Sequence, residues 1–329
     1  MVAAPTRGRS FASALFTTLA VTVLGISLTL NFYFLVMAGL SWGGGLGQPI
    51  QTETIRTGQA GRVVYRIDID GVIDDALEER FTRHLKRALD DPKTKAIVVH
   101  VDSPGGAVTA SDQIYQRLRK VREDKRLPVV VTHGGLAASG GYYVSAAGEH
   151  IIAHRTTLTG SIGVIMQRFN VAELMDRWGV RDATIKSSGS KFKDAGSMFR
   201  PETPEERAYF ESLLNHAYDT FTQVVKEGRG DRLKAELADV ANGKVFTADE
   251  ARTMGLVDDV GDLDTALSYL AGKHGLTDPT VIHLKQPPTL SSLLGIVTDL
   301  RTGQTRVDVP SSALEGLLVP RPMYLWRGQ

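Results

Sequence analysis

The sequence predicts an α/β domain of parallel βαβ units, preceded by a membrane-spanning helix. Three observations lead there. Short apolar runs alternate with amphipathic stretches at βαβ spacing. A long uncharged apolar run lies near the start of the chain, and a mostly helical portion follows the alternating part. The 329 residues suffice for one large domain or two ordinary ones.

The elements follow in order. No Lys, Arg, Asp or Glu occurs between Arg9 and Glu53. A spanning helix needs about 20 predominantly apolar residues, whereas the core of a cleaved signal peptide has about 7–15. The run is therefore expected to anchor the chain, with cleavage near Ala38 as the lesser alternative. Arg7 and Arg9 precede it, which places a short tail (residues 1–10) in the cytoplasm and everything after the span (11–40) outside, on the cell (inner) membrane. "SWGGGLGQPIQ" suggests a flexible Gly-rich tether over 41–60. The folded domain, 61–284, opens with "RVVYRIDIDG", an alternating strand. "ALEERFTRHLKRALDD" carries Leu77, Phe81, Leu85 and Leu89 at four-residue spacing, an amphipathic helix that stops near Pro92. "KAIVVHVD" fits a strand buried on both faces. "AVTASDQIYQRLRKVRED" is helical, "LPVVVTH" is the next strand, and "YYVSAAGEHIIAH" joins the end of a helix to another strand. Residues 204–274 read as mostly helical. Residues 285–329 contain five Pro and read as a tail with one apolar segment, "LSSLLGIV".

Composition removes several functions. The 42% hydrophobic and 23% charged content is ordinary for a globular protein, and a net charge of +1 gives no case for nucleic-acid binding. The absence of Cys excludes disulfides, thiolate catalysis and Cys-based metal sites. No metal or other cofactor is expected.

Two segments fall at the carboxyl ends of strands, where α/β sheets bind ligands. In "VDSPGGAV", Gly105 and Gly106 let backbone approach a substrate and leave amides free for a carbonyl oxygen, although a plain tight turn explains Pro-Gly-Gly equally well. In "GGLAASGGYYVSAAG", Ser139 stands at a helix start among Ala and Gly. There a hydroxyl can serve as an N-cap or as a nucleophile near unpaired amides. The segment is not a G-x-S-x-G elbow, since Ala137 and Gly141 stand at the flanking positions. A serine nucleophile needs a base. His133 and His154 have no acidic residue nearby to orient them. A lysine can serve if burial lowers its ordinary value of about 10.4. "IKSSGSKFKDAGSMF" offers Lys186, Lys191 and Lys193, although most Lys-rich loops are simply solvated.

Taken in order, "DSPGG", "AASGGYY", "TGSIGVI" and "KFKDAGSMFRPETPEER" resemble the signal peptide peptidase A family of membrane-bound serine proteases. The resemblance covers roughly residues 63–270 and includes "GKVFTADEARTMGLVDDVGDLDTAL". It implies a Clp/crotonase-like fold of stacked βαβ units with a helical C-terminal part. It also implies Ser139 as nucleophile, Lys193 as general base with Lys191 as fallback, and Ser161 as the group that orients the Lys amine. The amides of Gly106 and Gly140 become the oxyanion hole. Remnant signal peptides or other membrane-associated polypeptides are the implied substrates, with small or apolar side chains preferred. With a single "AASGG" and a single "KFKD", the chain corresponds to a short family member. The resemblance then implies a cyclic homo-oligomer in which Ser139 of one subunit meets Lys193 of the next. A crotonase-like acyl-CoA enzyme is the rival enzymatic reading, although it needs neither a Ser nucleophile nor a span. A catalytically silent membrane scaffold is the rival of another class.

Overall fold

The computed structural model describes residues 11–43, 50–285 and 323–326; in the first segment it describes the side chains of 16 and 18–33. The helix α1 (Phe11–Gly43) belongs to a unit separate from the sheet. Its described side chains are exposed on every face, Phe16, Leu24 and Phe32 among them. Among the residues whose side chains are described, no helix is long and apolar enough to cross a membrane. The predicted 1–10 tail and the apolar "LSSLLGIV" lie outside the described residues.

The second unit is built on a nine-stranded sheet. Its strands are β1 (Gln51–Arg56), β2 (Gln59–Asp70), β3 (Thr94–Ser103), β5 (Val129–Ala138), β6 (His150–Ala153), β7 (Leu158–Gly160), β8 (Val245–Thr247), β9 (Asp259–Val260) and β10 (Pro279–Lys285). The main path runs β1-β10-β2-β3-β5-β6-β9, parallel throughout except for the β1–β10 edge pair. β7 pairs parallel with the far end of β5 and antiparallel with β8. The short β4 (Gly105–Ala107) stands outside this sheet and pairs with β11 (Met323–Leu325). The predicted parallel βαβ units are therefore present. The sheet also takes in Gln51–Arg56, residues that the sequence reading leaves to the tether. All six are exposed, so this edge strand shows none of the apolar alternation by which β2 is recognised.

Why these residues form these elements is plain at the centre. Ile97, Val98, Val99, Val129, Val130 and Val131 are fully buried, as strands sandwiched between helices require. Helix α2 (Asp75–Leu89) turns Leu77, Phe81 and Leu85 inward and is capped by the Asp74 carboxylate, which accepts from Leu77 N–H at 2.8 Å. Helix α3 (Val108–Lys125) buries Ile114, Tyr115 and Leu118. The short α4 (Gly140–Ser145) is buried along its whole length. The later helices are α5 (Ala172–Arg177), α6 (Pro204–Arg229), α7 (Leu237–Val240), α8 (Ala248–Met254) and α9 (Leu263–His274). Helix α9 packs Ala266, Leu267 and Leu270 against Val64, Val98, Val130 and Ile152. Helix α6 begins with Pro204 behind a Thr203–Glu206 capping box, the helical start expected at residue 204.

Candidate active site

The site forms where parallel strands end. β5 continues past His133 through "GGLAA" to Ala138, because Leu136 N–H is held by the Asp102 carboxylate at 3.0 Å and Ala137 pairs with Ser103. His133 is thus in mid-strand, away from the strand end at which its position was expected. Its Nε2 meets Ser145 Oγ at 2.9 Å, and that hydroxyl donates to Gly141 carbonyl at 2.7 Å, so the imidazole is the donor to Ser145. Complete burial, followed by the positive charge of neighbouring groups, pushes His133 down to about 3. This imidazole is neutral and turned toward Ser145. His154 is exposed and bonded to Thr156.

Ser139 occupies the position before α4 with φ 54° and ψ −115° and makes no side-chain cap bond. A residue with a Cβ is strained at positive φ, and such strain gathers where geometry matters to function. Its backbone N–H donates to Gly160 carbonyl at 2.8 Å, tying the end of β5 to the end of β7. Ser161 follows Gly160 with φ 51°, and its N–H donates to Lys244 carbonyl at 2.7 Å. Two strained, nearly buried serines therefore sit at the ends of adjacent strands. Both line one cavity of about 1040 Å³, together with Ile162, Tyr218, Asn242 and Trp326. Neither hydroxyl has a hydrogen-bond partner among the described residues. The N-cap role open to Ser139 in sequence is not taken up.

The glycine segments close in on the same point. A Cβ at Gly140 would stand 3.1 Å from both Gly105 Cα and Gly106 N, and 2.6 Å from the buried Ser111 Oγ. Gly105, at φ 97°, likewise has no room for a side chain, since its Cβ would lie 2.6 Å from Gly140 N. The other edge of β4 is engaged by Ile73, whose N–H donates to Gly105 carbonyl (2.9 Å) and whose carbonyl accepts from Ala107 N–H (2.8 Å). The Gly106 amide therefore faces away from Ile73, toward β11.

The structure does not bring the lysines into the cavity of Ser139. Lys193 is exposed, does not line that cavity, and its amine has no hydrogen bond or ion pair among the described residues. Lys191 pairs with Glu205, and Lys186 with Asp194. The loop is held instead through Arg200. Its guanidinium donates to the Asp194 carboxylate (3.0 Å), the Asp194 carbonyl (2.9 Å) and the Glu206 carboxylate (2.9 Å). Hydrogen bonds from Arg200 lower both acids to about 2. The residue next to Lys193 is thereby clamped to the cap of α6. Sequence reading missed Arg200; its placement six residues from both Asp194 and Glu206 was the available signal. Among the described residues no group of His, Asp or Glu is arranged to hold a metal ion.

A Clp-like α/β fold with a strained serine between strand end and helix, opening onto a cavity, defines a serine hydrolase of the Clp-related peptidases. The Clp protease family model matches residues 62–176, and the model of peptidase family S49 matches residues 121–277. The chain is 33% identical over 297 residues to a protein of Enterococcus faecium named for signal peptide peptidase SppA, covering 85% of each chain. It is 36% identical to Protease 4 of Salmonella typhi, covering 71% of this chain and 36% of that one. A solved membrane-bound stomatin-specific protease is 21% identical, with a TM-score of 0.45, over 73% of this chain and all of that one. The chain belongs to the signal peptide peptidase A family, peptidase family S49, and is a serine protease.

Proposed function

We propose that the chain is a membrane-anchored endopeptidase in which Ser139 attacks a peptide carbonyl and Lys193 of a neighbouring subunit takes its proton. The observation that carries this reading is the pair Ser139–Ser161. Both hydroxyls open onto one cavity without partners, while the unpaired Lys193 lies elsewhere on the same chain. A neutral Lys193 amine entering beside Ser161, which would orient it, completes the nucleophile–base pair that serine catalysis needs. The amides of Gly106 and Gly140 would hold the developing oxyanion; removing one such donor typically costs about 10²–10³ in rate. Lys193 then gives the proton to the leaving amine, and water releases the acyl group from Ser139. Lys191 is the weaker candidate, because its ammonium is already paired with Glu205.

The segment that carries Lys193 supports a cyclic homo-oligomer. Phe169, Leu174, Trp178, Ile185, Phe199 and Tyr209 are exposed on it and on the start of α6, a density of apolar surface that marks an interaction face. A head-to-tail interface repeated around a ring brings this face to the neighbour's site at every boundary. For the membrane, α1 has 33 residues, against the roughly 20 that span a bilayer. Its polar side chains fold back on the helix, with Thr22 donating to Thr18 carbonyl at 2.9 Å and Asn31 to Ser27 carbonyl at 2.7 Å. Such satisfaction suits a helix surrounded by lipid. Arg7 and Arg9 favour a cytoplasmic N-terminus and an extracytoplasmic protease unit at the inner membrane. Remnant signal peptides and other membrane-associated polypeptides are substrates that such a tethered site would meet.

A fluorophosphonate probe tests the nucleophile. The wild-type chain should be labelled at Ser139 and the Ser139→Ala chain should not; equal labelling of both would move the nucleophile elsewhere.

A further inference from the structure

Two stretches of backbone meet at the proposed oxyanion hole, and they are held in different ways. Hydrogen bonds fix the Gly105–Gly106 stretch. Gly105 N–H donates to the buried Ser103 Oγ at 3.0 Å, and Gly105 carbonyl accepts from Ile73 N–H at 2.9 Å. Ala107 N–H donates to Ile73 carbonyl at 2.8 Å. Gly140, on the other wall, has no such bond outside its own helix among the described residues. Packing places it instead. The point where its Cβ would stand lies 3.1 Å from Gly105 Cα and Gly106 N, and 2.6 Å from Ser111 Oγ. The space beside Gly140 is therefore shared between the glycine segment and one hydroxyl of α3.

That hydroxyl is out of the ordinary. Ser111 is fully buried, and its Oγ has no hydrogen-bond partner among the described residues. A serine within a helix commonly bonds back to the carbonyl four residues earlier, here that of Ala107, and Ser111 does not. An unpaired buried hydroxyl works against the fold, and alanine in its place would relieve the cost. The next residue shows what this turn of α3 does. The Asp112 carboxylate accepts from the Tyr143 hydroxyl at 2.7 Å, so consecutive residues of α3 engage α4. Tyr142 hydroxyl donates to Leu256 carbonyl at 2.8 Å and secures the same helix from another side. The first residue of α4 is left to Ser111.

Stability gives no reason for an oxygen at position 111, whereas the hole does. Its donors must stand about 2.7–3.1 Å from the place of the oxyanion, and an error of about 1 Å can cost about 10²-fold in rate. We infer that Ser111 is a positioning residue of the oxyanion hole, whose buried hydroxyl holds Gly140 in place and so sets the spacing of the Gly106 and Gly140 amides. The inference rests on the reading of those amides as the oxyanion donors and adds the residue that spaces them. Ser111 acts through Gly140 and does not touch substrate. Without its oxygen, the first turn of α4 relaxes toward α3 and the Gly140 N–H loses its alignment. The loss is felt when charge develops on the carbonyl oxygen, not when the peptide binds.

The test compares the wild-type chain with Ser111→Ala, and with Ile114→Val as a control for packing on the same helix. An internally quenched casein peptide reads kcat and KM, and thermal melting reads the fold. A peptide aldehyde ending in leucinal reads the hole, because its adduct with Ser139 places an oxygen between the two amides. Ser111→Ala should lower kcat and weaken aldehyde inhibition by about tenfold each, with KM within about twofold. It should melt no lower than the wild type. Ile114 is fully buried, so Ile114→Val should melt lower with kcat and inhibition unchanged. If kcat or aldehyde inhibition of Ser111→Ala stays at the wild-type value, or its melting temperature falls, the inference is overturned while the protease reading stands. If the wild-type chain neither cuts the peptide nor binds the aldehyde, the protease reading falls and the inference with it.

Discussion

Replacing the Ser139 hydroxyl by hydrogen would remove the proposed nucleophilic oxygen and nothing that the fold uses, since that side chain makes no cap bond. Ser139→Ala should lower casein hydrolysis by about 10⁴-fold or more with an unchanged melting curve. Lys193→Ala should be as damaging, because nucleophile and base act as one unit. Lys191→Ala should cost about threefold or less, as it breaks only an exposed pair with Glu205; the reverse order would move the base to Lys191. Ser161→Ala should fall between, roughly 10- to 100-fold, the worth of one hydrogen bond to the ammonium that develops as Lys193 takes the proton. Of these residues, Ser139, Ser161 and the two glycine segments stand out in the motifs, and the two serines line one cavity in space. The proposed meeting of Lys193 with Ser139 rests on the family resemblance, because no local pattern in one chain's sequence says which copy would supply which group.

The elements around the site are pinned by buried charge. At the C-terminal end of α6, Arg229 is fully buried and binds the Asp258 carboxylate at 2.7 and 3.0 Å and the Gly255 carbonyl at 2.7 Å. Burial works to raise Asp258, but the Arg229 hydrogen bonds outweigh it and hold the carboxyl below its ordinary value. Arg229→Met should destabilise the protein by about 3–5 kcal/mol, because it removes the forked partner of a mostly buried carboxylate and leaves it only Ile151 N–H and the more distant Arg232; a change under about 1 kcal/mol in urea unfolding would refute this. The depressed Asp258 contributes stability that is present above its unfolded value near 4 and lost as pH falls through its folded value. His133 works in the same direction. Its folded value of about 3 lies below the unfolded value near 6.5, so the unfolded chain binds the extra proton between them. The urea midpoint should therefore fall from pH 7 to pH 4, with a shallower fall in His133→Gln. Arg200→Ala should loosen the Lys193 loop from the α6 cap and reduce kcat roughly 10- to 100-fold without removing a reacting group. Restoration by Lys should be poor, because an ammonium cannot reproduce the forked contacts. The apolar runs of β3 and β5 announced the centre of the sheet. β1, β4 and β11 were silent, since "QTETIR" is exposed throughout, "GGA" has almost no side chains, and β11 is defined by pairing with residues distant in sequence, Gly105–Ala107 and Ile165.

At the scale of the whole molecule, the serines line a cavity that the same chain's Lys193 does not reach, and the lysine loop sits among exposed aromatic and aliphatic residues. The proposed ring of copies would cover that apolar face and complete each site in one step. Dilution to monomers should then remove activity while leaving the sheet folded, which sedimentation and casein hydrolysis read together. The most direct measurement mixes Ser139→Ala with Lys193→Ala protein under conditions of subunit exchange, each variant being inactive alone. Mixed rings, verified by two different affinity tags, should regain part of the wild-type hydrolysis, because some boundaries hold an intact Ser139 beside an intact Lys193. Verified mixed rings that stay inactive, or an isolated monomer that is fully active, would contradict a site shared between neighbours.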